Sequence, residues 1–181
     1  MKYIEYECDS CFTQMGVFTG FPGYYQIESN QRMFAPSEPV WCFDCHRIRI
    51  AESLPDNDAA VNEIERCRLR KATRSELESV LEIERYGGAF SLDDYFASRI
   101  QWLELCVRFM GFRTNNRCIA CGGTSIDYLD TDDFGRTPER IPHPHCDGTL
   151  VRIEPAENEI LSPSHYFLLD RNGMLLTDYP A

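Results

Sequence analysis

The chain has no run of about 18 apolar residues, which excludes an ordinary membrane-spanning helix. Residues 1–10 lack the basic flank and apolar core of a secretory signal, so the expectation is a cytoplasmic protein without a membrane partner. Catalytic signatures are also missing. There is no His-Glu-x-x-His, no glycine-rich phosphate loop ending in Lys-Ser or Lys-Thr, and no Gly-x-Ser-x-Gly. Only four histidines occur in 181 residues, two of them together at 143 and 145, so general bases are scarce. Positive charge is in deficit: 18 Lys and Arg face 29 Asp and Glu, a formal net charge of -11. The deficit deepens toward the end, where residues 114–181 carry 5 basic and 11 acidic side chains. Such a chain repels phosphate backbones, which disfavours nucleic acid and favours a basic protein partner. Hydrophobic content of 43% and charged content of 26% are ordinary for a globular protein and exclude wholesale disorder.

What the chain does have is cysteine, nine in all. Seven of them, with one histidine, form four close pairs: Cys8-Asp9-Ser10-Cys11, Cys42-Phe43-Asp44-Cys45, Cys118-Ile119-Ala120-Cys121 and His143-Pro144-His145-Cys146. Two ligands separated by two residues can close on one tetrahedral ion, and two such pairs fill its shell. Taken in chain order, Cys8, Cys11, Cys42 and Cys45 make one zinc site, and Cys118, Cys121, His143 and Cys146 a second. His143 is preferred to His145 because it keeps the three-residue offset of the other pairs, whereas a side chain adjacent to Cys146 converges poorly with it. An odd cysteine total, paired spacing and no export signal favour reduced thiolates over disulfides. A redox Cys-x-x-Cys of the thioredoxin kind follows a strand in a βαβ unit, which is not the context here. Closed shells leave no position for water or substrate, so two structural zinc ions and no enzyme are expected. Cys67 and Cys106 fall on predicted helices and read as small core hydrophobes.

Between the pairs, short strands are predicted at Tyr3–Tyr6, Val17–Phe21 and Tyr24–Ile27, with Pro22-Gly23 as a turn and Ala35–Pro39 as a loop. Ile48, Ala51 and Leu54 recur at helical spacing and predict a helix over Cys45–Leu54 that stops before Pro55. A knuckle, a hairpin and a helix whose first turn supplies the last ligands resembles the treble-clef arrangement of zinc fingers. Residues 55–113 read as a helical middle. Asp56 or Asp58 caps a helix running to about Lys71, Thr73 and Glu76 form a capping box, and Ser91 opens a helix with Leu92, Phe96, Ile100, Leu103, Val107 and Met110 on one face. From residue 114 the pattern returns to strands at Ile126–Leu129 and Leu150–Ile153. Two knuckles each feeding a strand resemble a zinc ribbon, and a hairpin around Asn172-Gly173 is expected to extend its sheet. The expected fold is thus α+β with three parts: a four-cysteine, treble-clef-like module at 1–54, the helical segment at 55–113, and a zinc ribbon with an added hairpin at 114–181.

Two charged features carry functional expectations. Arg66, Arg70 and Arg74, with Arg68 and Lys71 between them, would form a phosphate-gripping stripe on a continuous helix. Thr73 breaks that helix and Glu63 and Glu65 lie one turn away, so a solvated, ion-paired face is the preferred reading. Asp130, Asp132 and Asp133 open like a calcium loop, but Phe134 and Ile141 occupy the fifth and twelfth positions, which excludes an EF-hand. With Glu154, Glu157 and Glu159 they are the candidate acidic surface for a basic partner. The expected function is a non-catalytic protein-binding module, in its most concrete form a bacterial immunity protein that blocks a basic, nucleic-acid-processing toxin. The competing readings are a nucleic-acid-binding zinc-ribbon protein and, last, a zinc-dependent enzyme.

Overall fold

Strands from the two ends of the chain mix in every sheet of the computed structural model, which describes residues 2–19, 23–28, 31–85, 91–110, 115–130, 138–153, 165–170 and 172–180. Two units result, Met1–Leu54 together with Asn115–Ala181, and Pro55–Thr114. The three-part division is therefore corrected. The segments 1–54 and 114–181 are not separate modules, because their strands pair with each other in all three sheets.

The first unit carries β1 (Lys2–Cys8), β2 (Gln14–Thr19), β3 (Gly23–Glu28), β4 (Gln31–Ala35), β5 (Ser37–Cys42) and β6 (Arg47–Glu52) ahead of the helices. After them come β7 (Ile126–Tyr128), β8 (Arg140–Pro142), β9 (Thr149–Ile153), β10 (His165–Leu169) and β11 (Leu175–Pro180). One sheet has the order β2-β1-β9-β8, a second β6-β5-β7, and a third β11-β10-β3-β4. The period-2 pattern of β1 explains its placement: Ile4, Tyr6 and Cys8 are buried, and Tyr3, Glu5 and Glu7 between them are half-buried. The inward set packs with Met15, Val17, Ile141 and Leu150 of its own sheet and with Trp41 and Ile48 of the second sheet. Fully burying an aliphatic side chain such as Ile48 or Leu150 stabilises by about 1.5–3 kcal/mol. Tyr6, also fully buried, satisfies its hydroxyl by donating to the Pro138 carbonyl at 2.8 Å.

Three sequence expectations change here. Residues 47–52 form a strand, not a helix, so the helix required by a treble clef is absent from this position. Ile48, Ala51 and Leu54 fit a helical step, but Arg47-Ile48-Arg49-Ile50 also alternates, and full antiparallel pairing with β5, from Ser37 opposite Glu52 to Cys42 opposite Arg47, decides the matter. Pro39 lies inside β5 rather than in a loop. It is tolerated because β7 pairs only from Val40 onward, while the Pro39 carbonyl accepts from Leu129 at 3.1 Å. The C-terminal hairpin forms as expected but joins β3 in parallel, Phe167 opposite Gly23, instead of extending the sheet of the last ligand pair.

The second and third sheets meet at Glu52, a fully buried carboxylate. Its Oε1 accepts from the Tyr25 hydroxyl at 2.7 Å and its Oε2 from the Arg117 amide at 3.2 Å, while the Tyr128 hydroxyl donates to its backbone carbonyl. Asn116 completes the seam by pairing its side-chain amide with both backbone groups of Leu54, at 3.1 and 3.0 Å.

The second unit holds α1 (Asn57–Arg68), α2 (Arg74–Arg85) and α3 (Leu92–Met110). Asp56 caps α1 by accepting from the Ala59 amide at 2.7 Å. At α2 the Glu76 carboxylate accepts from the Thr73 amide at 2.7 Å, while the Glu76 amide donates back to the Thr73 hydroxyl at 3.3 Å, which is the capping box. Ser91 and Asp94 repeat that exchange at α3. Ala60, Ile64 and Leu103 form a small core where α1 meets α3, and Cys67 and Cys106 are buried as expected. Burial pushes the Cys106 thiol up to about 12. Helix α2 buries Val80 but leaves Leu77, Leu81 and Ile83 exposed. Among the described residues, no helix is long and apolar enough to cross a membrane.

Candidate metal centres

The four ligand pairs sit on tight turns, and three of these turns share one backbone path. The amide of the first ligand donates to the carbonyl five residues on: Cys8 to Thr13 at 3.0 Å, Cys118 to Gly123 at 2.9 Å and His143 to Gly148 at 2.9 Å. The residue after the second ligand turns left-handed at Phe12 (φ 58°), His46 (φ 54°) and Gly122 (φ 72°). That conformation reverses the chain within one residue and keeps the two ligands of a pair on the same side of the turn.

The turns meet in nested order. Cys8, Cys11, His143 and Cys146 gather in one cluster, and Cys42, Cys45, Cys118 and Cys121 in another, with the ligand atoms of each within 4.8 Å of one another. All eight ligand residues are thus brought together in two groups of four, one of three cysteines with a histidine and one of four cysteines. The chain-order assignment is corrected: Cys8 and Cys11 do not join Cys42 and Cys45, and Cys118 and Cys121 do not join His143 and Cys146. Strand pairing is the cause. Strands β1 and β9 are antiparallel with Cys8 opposite Leu150, which carries the first and last turns to the same end of one sheet. Strands β5 and β7, with Cys42 opposite Ile126, do the same for the two inner turns.

Each centre repeats the same close approach. A glycine two residues past the last ligand presses against its partner turn. A Cβ on Gly148 would stand 2.5 Å from Ser10 Cβ and 2.6 Å from Cys8 Sγ, and one on Gly123 would stand 1.9 Å from Asp44 Oδ2. The strand entering the first turn of a centre pairs with the strand leaving its second turn in both cases, so one construction is used twice, the inner copy inserted within the outer.

The donor atoms fit a tetrahedral ion. Metal–sulfur bonds of about 2.3 Å place two tetrahedral sulfurs about 3.8 Å apart, and a metal–nitrogen bond of about 2.05 Å places nitrogen about 3.5 Å from sulfur. Observed separations are 3.6 Å for Cys42–Cys121, 3.9 Å for Cys45–Cys118, 3.5 Å for Cys8–Cys146 and 3.5 Å from Cys11 Sγ to His143 Nδ1, with His143 Nδ1 to Cys146 Sγ tighter at 3.0 Å. All are far beyond a disulfide length, and all nine cysteines are free. The thiols also need a counter-charge. Hydrogen bonds from the Thr13 side chain and amide lower Cys11 to about 6. Cys146 rises to about 11: the Gly148 amide lowers it, but burial and the neighbouring Cys8 and Cys11 outweigh that donor. Desolvation raises Cys118 and Cys45 in the second cluster, whereas Cys121 falls: burial raises it, but the Gly123 amide and the neighbouring thiols outweigh that. Crowded thiols that resist joint ionisation are what a bound dication relieves.

His143, not His145, completes the first cluster. Its ring is buried edge-on against Trp41, with centroids 5.5 Å apart. His145 turns outward and places Nε2 2.8 Å from Nδ1 of His46, the residue following Cys45. Sequence reasoning weighed His145 only as the alternative to His143 and missed its pairing with His46. It also missed Gly148 and Gly123 as contact points, although the shared two-residue offset after Cys146 and Cys121 was a visible signal.

The remaining candidates separate clearly. Asp130 is exposed, while Asp132, Asp133, Glu154, Glu157 and Glu159 lie outside the described residues. The arginine stripe does not form one face, because α1 ends at Arg68, Arg70 takes φ 53°, and α2 begins at Arg74. Each arginine also has a carboxylate. Arg66 binds Glu63 at 2.7 Å and Glu76 at 2.5 Å, Arg68 binds Glu104 at 3.1 Å, Arg70 binds Asp93, and Arg74 binds Glu78 at 2.8 Å. Comparison with protein-family models, with curated proteins and with solved structures finds no match.

Proposed function

We propose that the chain is an acidic protein-binding module stapled by two structural zinc ions and performing no chemistry of its own. The observation that carries this reading is that each cluster supplies four protein donors to one point, a complete tetrahedral shell. Sulfur-rich tetrahedral sets suit zinc, and each centre has the two-knuckle, strand-linked construction of a zinc ribbon. Four thiolates outweigh the charge of the dication, and so do three, so loading leaves both centres anionic and adds to the formal charge of -11.

An anchor for a partner is present on the first turn. Phe12 is 72% exposed and adopts φ 58°, whereas glycine occupies the equivalent position after Cys121. A bulky apolar ring held in water on a left-handed backbone is unfavourable in the free protein, and burial against a partner would offset that cost. Phe43, on the turn of the second centre, is also exposed. The partner is a basic protein, attracted by complementary charge and held by these aromatic tips. Its narrowest form is a basic, nucleic-acid-processing toxin for which this chain is the immunity protein. The ion-paired arginines of the helical unit weigh against a phosphate ligand.

Capture of partners by the zinc-loaded chain at rising salt tests this reading. A partner lost with salt, and held more weakly by Phe12→Ala, is the expected result. Recovery of no protein at any salt, or tight salt-sensitive binding of nucleic acid instead, overturns it.

A further inference from the structure

Among the described residues outside the two cysteine-rich clusters, His46 and His145 bring two further metal-type donors close together. His46 follows Cys45 of one centre and His145 precedes Cys146 of the other, so each imidazole is rooted one residue from a ligand. The His46 backbone is held at φ 54°. The His145 ring leans on Trp41, with centroids 5.7 Å apart, and Trp41 is itself 2% exposed. The two imidazole rings stand 4.5 Å apart, 70° from coplanar, and both residues are exposed. Water and ions therefore reach both rings.

The separation of those nitrogens selects a chemistry. His46 Nδ1 lies 2.8 Å from His145 Nε2. Two imidazole nitrogens at bond lengths of about 2.0–2.1 Å are about 2.8–3.0 Å apart when they subtend 90° at a metal, and about 3.3 Å apart at the tetrahedral angle. The observed spacing, set here by a hydrogen bond between the rings, also lies within the right-angled bite of square-planar or octahedral ions and short of the tetrahedral bite of the cysteine centres. We infer that His46 and His145 form a third, solvent-facing metal site for a nitrogen-preferring divalent transition ion of the Ni2+ or Cu2+ class, with water completing the shell. In the metal-free state one ring donates a proton to the other. On binding, that proton moves to the donor ring's second nitrogen, so both facing nitrogens present lone pairs to the ion. Each ring swings by about 45° to aim its lone pair at the ion instead of at its neighbour, a motion that surface rings can make.

This site rests on the zinc reading above, because the loaded centres are what hold Cys45 and Cys146, and hence both histidines, in place. The test uses the full chain with its zinc content measured first. Ni2+ is the probe, since it does not oxidise thiolates, and tryptophan emission, read in a Trp102→Phe background so that Trp41 alone contributes, reports its arrival beside His145. The expected result is two retained zinc equivalents and one added nickel equivalent with quenched emission. His46→Gln and His145→Gln should each keep both zinc ions and bind nickel at least about tenfold more weakly, since the second donor of a chelate acts at high local concentration. Paramagnetically shifted imidazole resonances from two histidines in the unsubstituted protein identify the donors without any variant. Equal nickel binding by wild type and both variants, no uptake beyond zinc, or displacement of zinc one for one would each reduce the array to a hydrogen-bonded pair and overturn the site. A zinc count below two before nickel is added removes the zinc reading, and the third site falls with its scaffold.

Discussion

Replacing Cys8 and Cys11 together by alanine distinguishes nested from chain-order ligation by the identity of the atoms that remain. With both centres filled by cobalt, the average shell holds about 3.5 sulfurs and 0.5 nitrogens per metal, whichever way the pairs combine, so the wild-type spectrum does not discriminate. In the nested arrangement the double substitution destroys the centre that contains His143. The surviving ion then shows about four sulfurs and no nitrogen. The mirror variant, Cys118→Ala with Cys121→Ala, leaves about three sulfurs and one nitrogen. Chain-order ligation demands the reverse in both cases. Structural zinc contributes roughly 10–16 kcal/mol in small peptides, so removing two of four donors should empty one centre, and elemental analysis should fall from two equivalents to one. X-ray absorption at the cobalt edge counts nitrogen against sulfur directly. A nitrogen ligand that persists in the Cys8/Cys11 variant and vanishes in the Cys118/Cys121 variant would refute the nested assignment.

Gly148→Ala inserts a methyl group 2.5 Å from Ser10 Cβ and 2.6 Å from Cys8 Sγ, and should cost roughly 1–3 kcal/mol, read as a lowered melting temperature with faster metal loss to a chelator; unchanged values would mean the two turns are not in contact. Glu52→Ala strips acceptors from the Tyr25 hydroxyl and the Arg117 amide, and denaturant unfolding should show a loss of roughly 2–4 kcal/mol, with less than about 0.5 kcal/mol speaking against the buried seam. In the helical unit, hydrogen bonds from Arg66, then Thr73 and Tyr95, hold the Glu76 carboxyl down to about 2 from an ordinary 4.5. A depressed folded-state pKa stabilises above the unfolded value and is lost as pH falls through the folded one. Glu76→Gln should therefore be roughly 1–3 kcal/mol less stable than wild type at neutral pH, and the gap should close between about pH 4.5 and 2; a gap that stays constant over that window would count against the ion pair.

The inventory of ligands was legible in the sequence, and their assignment was not. Four pairs containing a single ligating histidine yield one four-sulfur set and one three-sulfur set under any combination, so composition could be read from spacing alone. Which pairs share a cluster depends on strand register between residues distant in the chain, as in Glu5 opposite Ile153 and Cys42 opposite Ile126, and local spacing carries no trace of that. Helix starts were legible because capping chemistry is local: Asp56, the Thr73–Glu76 exchange and Ser91 all act within three residues. The segment after Cys45 was ambiguous because Ile48, Ala51 and Leu54 satisfy one period while Ile48 and Ile50 satisfy the other, and only the neighbouring β5 resolves it. The His46–His145 array joins residues 99 positions apart and had no local signature at all.

Nesting also imposes a timetable on biogenesis. The inner pairs are separated by 73 and 79 residues, the outer ones by 132 and 138. As the chain leaves the ribosome, Cys8 and Cys11 emerge first and meet the other half of their cluster last, after all four residues of the inner cluster have been translated. For most of synthesis that leading thiol pair must be kept reduced, and kept from capturing an ion with Cys42 and Cys45, the next suitable donors to appear. Closing the inner ring promptly, once Cys118 and Cys121 are made, takes that wrong pairing off the table before the outer ring can form.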